Sequence, residues 1–238
     1  MEFKLWALVL LIFDQGGLPD PRPGTAGYVL DSGANDGSSA EGLARMLRDT
    51  DLRVLAVEPL RSNVRVIENR ARRFPRIEPL RAGLGAANGS VGRYPLGLDD
   101  EHGSINLQIN AWTPEHQSGA AAYPILTIDA LFAEATRRSL LFAHLDLEGR
   151  EHQVLPAANA TIMRDRPILA VETYPVKIPE QHVRVMAYLR SIDYRVYTVE
   201  EIVGGFRDGR NRVAVPRENA HLVWICNHYF YGAGRPAF

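Results

Sequence analysis

The stretch Tyr28-Val29-Leu30-Asp31-Ser32-Gly33-Ala34-Asn35-Asp36-Gly37 reads as a short buried strand that ends on an acid and runs into a glycine-punctuated turn, and residues 38–48 after it read as a helix. Glycine at 33 and 37 lets the backbone turn tightly and approach a bound molecule with no Cβ in the way. Nucleotide-derived cofactors sit on such a strand–turn–helix. Its spacing here is Asp-x-Gly-x-x-x-Gly, not the Gly-x-Gly-x-x-Gly that sets a helix N-terminus against a pyrophosphate. A cofactor without phosphates does not need the phosphate-cradling version.

Working outward, short apolar runs alternate with helical stretches, the pattern of a parallel sheet covered by helices. Strands are expected at residues 28–30, 52–57, 77–84, 140–147 and 168–172. Helices are expected at 38–47, at 62–73 with Ser62 as cap and Val66 and Ile67 facing inward, at 150–163 divided by Pro156, and at 179–192 with Val183, Met186, Ala187 and Leu189 at helical spacing. Residues 194–199 and 221–226 supply two further strands, and their joining by a polar loop implies an antiparallel pair at one edge. The expected fold is therefore α/β, a doubly wound, mostly parallel seven-stranded sheet with an antiparallel edge strand. Between Ala86 and Pro124 the rhythm breaks. Asn88-Gly89 is a strong turn signal, residues 90–96 could form a strand, and residues 102–124 are polar, small and aromatic. A connection this long is functional or mobile, and His102, Trp112 and His116 within it are candidate substrate contacts. Order restarts at residues 126–132, with Asp129 opening a short helix.

A chain of 238 residues fits one large domain, and 46% hydrophobic with 23% charged residues is ordinary for a globular protein. The net charge of -1 argues against a polyanion binder. The arginines between 61 and 76 are interleaved with Glu58, Glu68 and Glu78, as on a solvated helix face, so no nucleic-acid partner is expected. The single cysteine, Cys226, excludes a disulfide framework and a cysteine-based zinc site. The apolar residues 5–13 number nine, too few for a bilayer span of about 20. They read as an element packed on the domain, the alternatives being the core of a signal peptide or a membrane contact. A Pro/Gly-rich connector over 16–27 follows, which divides the chain into an N-terminal segment, 1–27, and a domain, 28–238. The expected location is cytoplasmic, or the secretory pathway if 5–13 is a signal.

In an open parallel sheet, ligands bind outside the carboxyl ends of the strands. Those ends carry Asp31 and Gly33, then Glu58, then Gly83 to Gly85, then Asp146 and Glu148, then Glu172 to Tyr174. Acids close four of five strands. Packing alone does not explain that, because an unpaired buried carboxylate costs several kcal/mol. Glu58 lies 27 positions after Asp31, where a carboxylate can accept two hydrogen bonds from vicinal ribose hydroxyls. Asp31 holds the glycine turn or orients a ligand ammonium. Asp146 and Glu148, two apart, suit a general base, a contact to a cofactor amino group or a pair of metal ligands, and Glu148 alternatively caps the next helix. His144 is a second candidate base or a satisfied core histidine. Walker, Gly-x-Ser-x-Gly and His-Glu-x-x-His patterns are absent.

Taken in order, these pieces resemble the class I S-adenosylmethionine-dependent methyltransferases, and among them the FkbM family. Val29-Leu30-Asp31-Ser32-Gly33-Ala34-Asn35-Asp36-Gly37 is similar to the family's first motif, and Val57-Glu58-Pro59 to its ribose-binding motif. Leu145-Asp146-Leu147-Glu148-Gly149-Arg150-Glu151 resembles its Asp-x-Glu-Gly-x-Glu segment, and Leu126-Thr127-Ile128-Asp129-Ala130-Leu131 also fits. The resemblance spans about residues 28–226. His144 stands where the family usually has lysine, and residues 1–27 are short and unlike the helical lead-in of many relatives.

The resemblance implies the Rossmann-like class I fold, S-adenosylmethionine as methyl donor, and a hydroxyl acceptor on a small molecule, sugar, glycolipid or polyketide. Asp31, Gly33, Asn35, Gly37, Glu58 and Gly83 are then the cofactor-binding candidates, and Asp146, Glu148 and His144 the catalytic ones. No metal is expected; were one used, Asp146 and Glu148 would hold it. The rival readings are an NAD(P)-dependent oxidoreductase, disfavoured by the missing third glycine, and a catalytically silent domain of the same fold.

Overall fold

The computed structural model of the protein describes residues 3–95, 120–203 and 206–231. In chain order the elements are α1 (Phe3–Asp14), β1 (Ala26–Ser32), α2 (Ser38–Met46), β2 (Arg53–Glu58), α3 (Arg61–Arg73), β3 (Ile77–Arg81), β4 (Gly83–Leu84), β5 (Ser90–Pro95), β6 (Ala120–Leu126), α4 (Ile128–Leu131), β7 (Arg138–Leu145), α5 (Glu151–Ala157), α6 (Asn159–Asp165), β8 (Ile168–Glu172), α7 (Pro179–Ser191), β9 (Tyr194–Val203), β10 (Phe206–Pro216) and α8 (Ala220–Tyr231).

Seven strands form the main sheet in the order β3-β2-β1-β7-β8-β10-β9. All pairings from β3 to β8 are parallel, and β10 runs antiparallel to both β8 and β9. The order reverses between β1 and β7, so the crevice for a ligand opens at the carboxyl ends of those two strands. A small second sheet, β4-β6-β5, lies beside it.

Each central strand is buried on both faces, and alternate residues sort into two cores. Val29, Ala56, Phe142 and Ala170 pack with α1, α2, α3 and α8. Tyr28, Leu55, Ala143 and Val171 pack with α4, α5, α6 and α7. The period of two that puts Val29 on the first face puts Asp31 there too, with Glu58 two beyond Ala56, His144 two beyond Phe142 and Glu172 two beyond Ala170. One face of the sheet therefore carries the acids of the strand ends.

Residues 5–13 lie in α1. Leu5, Leu8, Val9 and Ile12 are buried in the first core, each worth about 1.5–3 kcal/mol of burial. Among the described residues no helix is long and apolar enough to cross a membrane.

Several expectations are corrected. Residues 221–226 are part of helix α8, not a strand, and the seventh strand is β10, which lies in the stretch expected to be a polar loop. The expected strand 77–84 breaks at Ala82, whose N–H bonds to Glu58 O at 3.2 Å, and continues as β4 in the other sheet. Helix α3 starts at Arg61 after Leu60, so Ser62 is not its cap; Ile67 faces inward but Val66 is exposed. On α7 the buried positions are Val185 and Leu189, with Val183 exposed. Pro156 does end up where 150–163 divides into α5 and α6. The expected contacts His102, Trp112 and His116 lie outside the described residues.

Candidate cofactor and catalytic site

The turn after β1 is held from three sides. Gly33 and Ala34 donate their N–H groups to Val57 O at the end of β2 (3.0 and 3.2 Å), and Asp146 N–H bonds to Ser32 O at 3.1 Å. Gly33 has φ 77°, and a Cβ there would lie 2.0 Å from the Asp146 carbonyl oxygen. Glycine is thus required by both conformation and space. Gly37, with φ 78°, opens α2 against Ile67. Arg70 of α3 clamps the turn, its Nε 2.7 Å from Asp36 O and its Nη1 2.5 Å from Glu41 Oε2.

A cavity opens at this point, lined by Ser32, Gly33 and Asn35 of the turn, Glu58, Pro59, Leu60 and Asn63 around the start of α3, Gly83, Leu84, Tyr123 and Ile125 of the small sheet, and Asp146, Glu148 and Arg150 after β7. Of the sequence candidates, Gly33, Asn35, Glu58, Gly83, Asp146 and Glu148 meet in this lining. Asp31, Gly37 and His144 lie outside it. Asp31 and His144 instead pair with each other, Oδ1 to Nδ1 at 2.9 Å, and Asp31 Oδ2 accepts the Ser39 hydroxyl at 2.8 Å. Trp6 of α1 covers the pair, its ring centroid 5.1 Å from that of His144.

Glu58 is buried, and its two oxygens accept the Asn35 and Leu60 N–H groups, each at 2.9 Å. Burial outweighs these donors and pushes its pKa up to about 7. The Asn63 side chain adds a third hydrogen bond, which leaves one of the carboxylate's about four acceptor positions for a ligand hydroxyl.

The segment after β7 turns on two residues of positive φ, Glu148 (52°) and Gly149 (90°). Glu151 closes that turn by accepting the Leu147 N–H at 2.7 Å, and burial raises its pKa to about 7. Asp146 is raised above the carboxylate range by burial and by the neighbouring Glu172 charge, and Glu148 is raised by burial. Three buried polar atoms of the lining, Ser32 Oγ, Asp146 Oδ1 and Arg150 Nε, have no hydrogen-bond partner among the described residues. Such atoms mark a ligand site, because an unmade buried hydrogen bond costs about 1–3 kcal/mol. Among the described residues, no group of three or more His, Cys, Asp or Glu is arranged to hold a metal ion.

Sequence reasoning missed Tyr123, Ile125, Asn63 and Arg150. Arg150 lay within a quoted motif, and Asn63 at helical spacing before Ile67 was a readable signal. Tyr123 and Ile125 come from an irregular stretch in which no periodicity pointed to them.

This sheet order, with helices on both faces and a crevice at the β1–β7 switch, is the class I methyltransferase fold. The sequence model described as the methyltransferase FkbM domain matches residues 31–196, and the chain belongs to that family. Membership implies S-adenosylmethionine as methyl donor. Among solved structures, the chain is similar to the methyltransferase FkbM from Methylobacillus flagellatus KT at 22% identity and a TM-score of 0.53, with 80% of this chain and 43% of that one covered. It thus spans less than half the length of that protein. Weaker similarities of outline include the precorrin-6y C5,15-methyltransferase of Geobacter metallireducens GS-15, at 14% identity and TM-score 0.40, covering 89% of this chain and 84% of that one. Another is Aeropyrum pernix fibrillarin in complex with S-adenosyl-L-methionine, at 16% identity and TM-score 0.44, covering 88% and 76%. No curated protein matches the chain.

Proposed function

We propose that this chain transfers a methyl group from S-adenosylmethionine to a hydroxyl oxygen of a small molecule of the sugar, glycolipid or polyketide kind. The observation that carries the reading is Asp146 Oδ1, a buried carboxylate oxygen without a partner in the wall that also holds Gly33, Glu58 and Gly83.

The lining fits the cofactor. Glu58 keeps one acceptor position for a ribose hydroxyl. Leu84, Tyr123 and Ile125 give an apolar wall for the base beside Gly83, where a side chain would collide with Tyr123. Ser32 and Arg150 offer donors for the carboxylate of the amino-acid part. Asn35, through its N–H to Glu58, ties the turn to the ribose carboxylate. Asp31 and Gly37 act indirectly by building the turn. When bound, S-adenosylmethionine supplies an electrophilic methyl group on a positively charged sulfur.

The protein's own work is to position the acceptor, exclude water and take one proton. Asp146 takes that proton on Oδ1. Glu148, two residues on, offers a second acceptor to hold a substrate hydroxyl. His144, held by Asp31 behind the cavity, favours the ionised form of Asp146 when the imidazole is protonated.

Calorimetry and thermal-shift measurements with S-adenosylmethionine and S-adenosylhomocysteine are expected to give micromolar binding and a raised Tm; no response to either refutes the reading. Methyl-labelled donor with a panel of alcohols, amines and thiols tests the acceptor class, and label in amines or thiols alone refutes oxygen transfer. Cofactor binding without transfer to any acceptor would favour the silent-domain reading.

A further inference from the structure

Behind Asp146 the sheet brings a second carboxylate into play. In the parallel register of β7 and β8, Leu145 faces Val171, and one position further on the Asp146 and Glu172 carboxyl groups come side by side, the Glu172 charge raising the affinity of Asp146 for a proton. Glu172 is 3% exposed. Its Oε1 lies 2.6 Å from Arg210 Nη1, and its Oε2 accepts from the Tyr174 hydroxyl at 2.6 Å. That same hydroxyl lies 2.9 Å from Glu148 Oε2. Asp146 and Glu148 line the cavity, and Glu172 and Tyr174 stand behind them.

Counting protons makes the arrangement specific. Two carboxyl groups side by side bond to each other only through a proton on one of them. Tyr174 has one hydroxyl proton and two carboxylate neighbours, so it donates to one and can accept from the other. The positive charges facing the group are Arg210 on β10, which also lies 5.7 Å from the Tyr174 ring, and Lys177 at 5.7 Å from the same ring, with His144 on β7 beside Asp146. Three carboxylates against one guanidinium in direct contact hold at least one proton among them, as like-charged groups at this range cannot all ionise.

We propose that Glu172 and Tyr174 are positioning residues that form a proton-carrying bridge between Asp146 and Glu148 behind the cavity wall. The role rests on the methyltransferase reading above. The acceptor's O–H bond breaks and its oxygen keeps the electron pair, while the proton forms a bond to Asp146 Oδ1. The proton already held between Asp146 and Glu172 moves onto Glu172. Glu172 passes a proton to the Tyr174 oxygen as the Tyr174 proton moves to Glu148, and Glu148, which is half-buried, releases it to water. One proton leaves the acceptor and one reaches solvent, with no heavy atom travelling far.

The test is a pH titration of carboxyl-labelled full-length protein by carbon NMR, without cofactor, on the parent protein and on Glu172→Gln and Tyr174→Phe, together with calorimetry of S-adenosylmethionine. In the parent protein, Asp146 is expected to titrate above the ordinary carboxylate range. Glu172→Gln should lower its midpoint by at least about one pH unit, since the neighbouring charge is gone. Tyr174→Phe, nearly isosteric, should raise the Glu148 midpoint by removing its donor. Cofactor affinity should stay within about threefold in both variants, because neither side chain lines the cavity. An ordinary Asp146 titration in the parent, or a Glu148 midpoint indifferent to Tyr174→Phe, overturns the bridge, and the parent titration decides even if Glu172→Gln fails to fold. Failure of the methyltransferase reading shows separately, as an absent binding isotherm with the titrations as expected.

Discussion

Gly33→Ala sets the tightest test of how the cofactor turn works. Alanine at φ 77° occupies the left-handed region, which costs about 1–2 kcal/mol for a residue with a Cβ. The larger effect is steric. The new methyl would sit 2.0 Å from the Asp146 carbonyl oxygen, so one of the two must withdraw by at least about 1 Å to relieve the overlap, and by about 1.4 Å to reach ordinary contact. Neither is free to do so, since Gly33 N–H is bonded to Val57 O and Asp146 N–H to Ser32 O. Overpacking of this kind costs about 1–3 kcal/mol, giving roughly 2–5 kcal/mol in all. Because the displaced group is the backbone of Asp146, chemistry should suffer beyond stability, about 100-fold for a shift of that size. Gly42→Ala is the matched control: it lies within α2 with nothing within 4 Å of its notional Cβ, and alanine there should stabilise by about 0.8–1 kcal/mol. Urea denaturation and calorimetry of S-adenosylhomocysteine on both variants would check this. A Gly33→Ala protein with parental stability and affinity would refute the reasoning.

Glu58→Gln should weaken cofactor binding by about 1.5–3 kcal/mol, roughly 10- to 100-fold. The parent's affinity should also rise as pH passes through about 7, where Glu58 ionises, while the variant's calorimetric profile stays flat. Without ligand, the pH dependence of stability has the opposite sense. Glu58 and Glu151 both have folded pKa values near 7, raised from 4.5, so the stability they contribute is complete below about pH 4.5 and lost as pH rises through 7, on the order of 3 kcal/mol each. Tm should therefore fall between pH 5 and 8, and fall less in Glu151→Gln; identical slopes would contradict the assignment. Leu8→Ala, at a side chain with no exposure, should cost about 2–5 kcal/mol in denaturant unfolding. Leu10→Ala on the exposed side of the same helix should cost within about 0.5 kcal/mol.

Much of the cavity lining was legible because strands bury both faces and their alternation is strict. Asp31, Glu58, Asp146 and Glu172 stood at strand ends in the sequence, and three of them fall on the face that period-two counting assigns. The strand β10 was not legible. Its first half, Phe206 to Arg212, is polar, and its apolar part is the triplet Val213-Ala214-Val215 before a proline. Its identity as a strand comes from pairing with β8 and β9, which is tertiary information. The run 221–226 was ambiguous by length alone, yet its buried residues Leu222, Ile225 and Cys226 follow helical spacing. The break at Ala82 and the place of Tyr123 depend on a second sheet whose members lie far apart in sequence. The Tyr174 bridge was beyond reach for the same reason, since nothing local shows that one hydroxyl will meet two carboxylates.

Helix α1 packs against α8 and β9, with Lys4 O accepting the Tyr229 hydroxyl at 3.1 Å across 225 positions and Gln15 O 3.1 Å from His221 Nε2. Helix α1 thus finds part of its cover in residues made 225 positions later. At about 5–20 residues per second, synthesis leaves that apolar helix without its permanent cover for roughly 10–45 seconds. During that interval Leu5, Leu8, Val9 and Ile12 present a greasy stripe to whatever lies near the ribosome. Trp6 of the same helix lies over His144, so the rear wall of the site is complete only once α1 has docked.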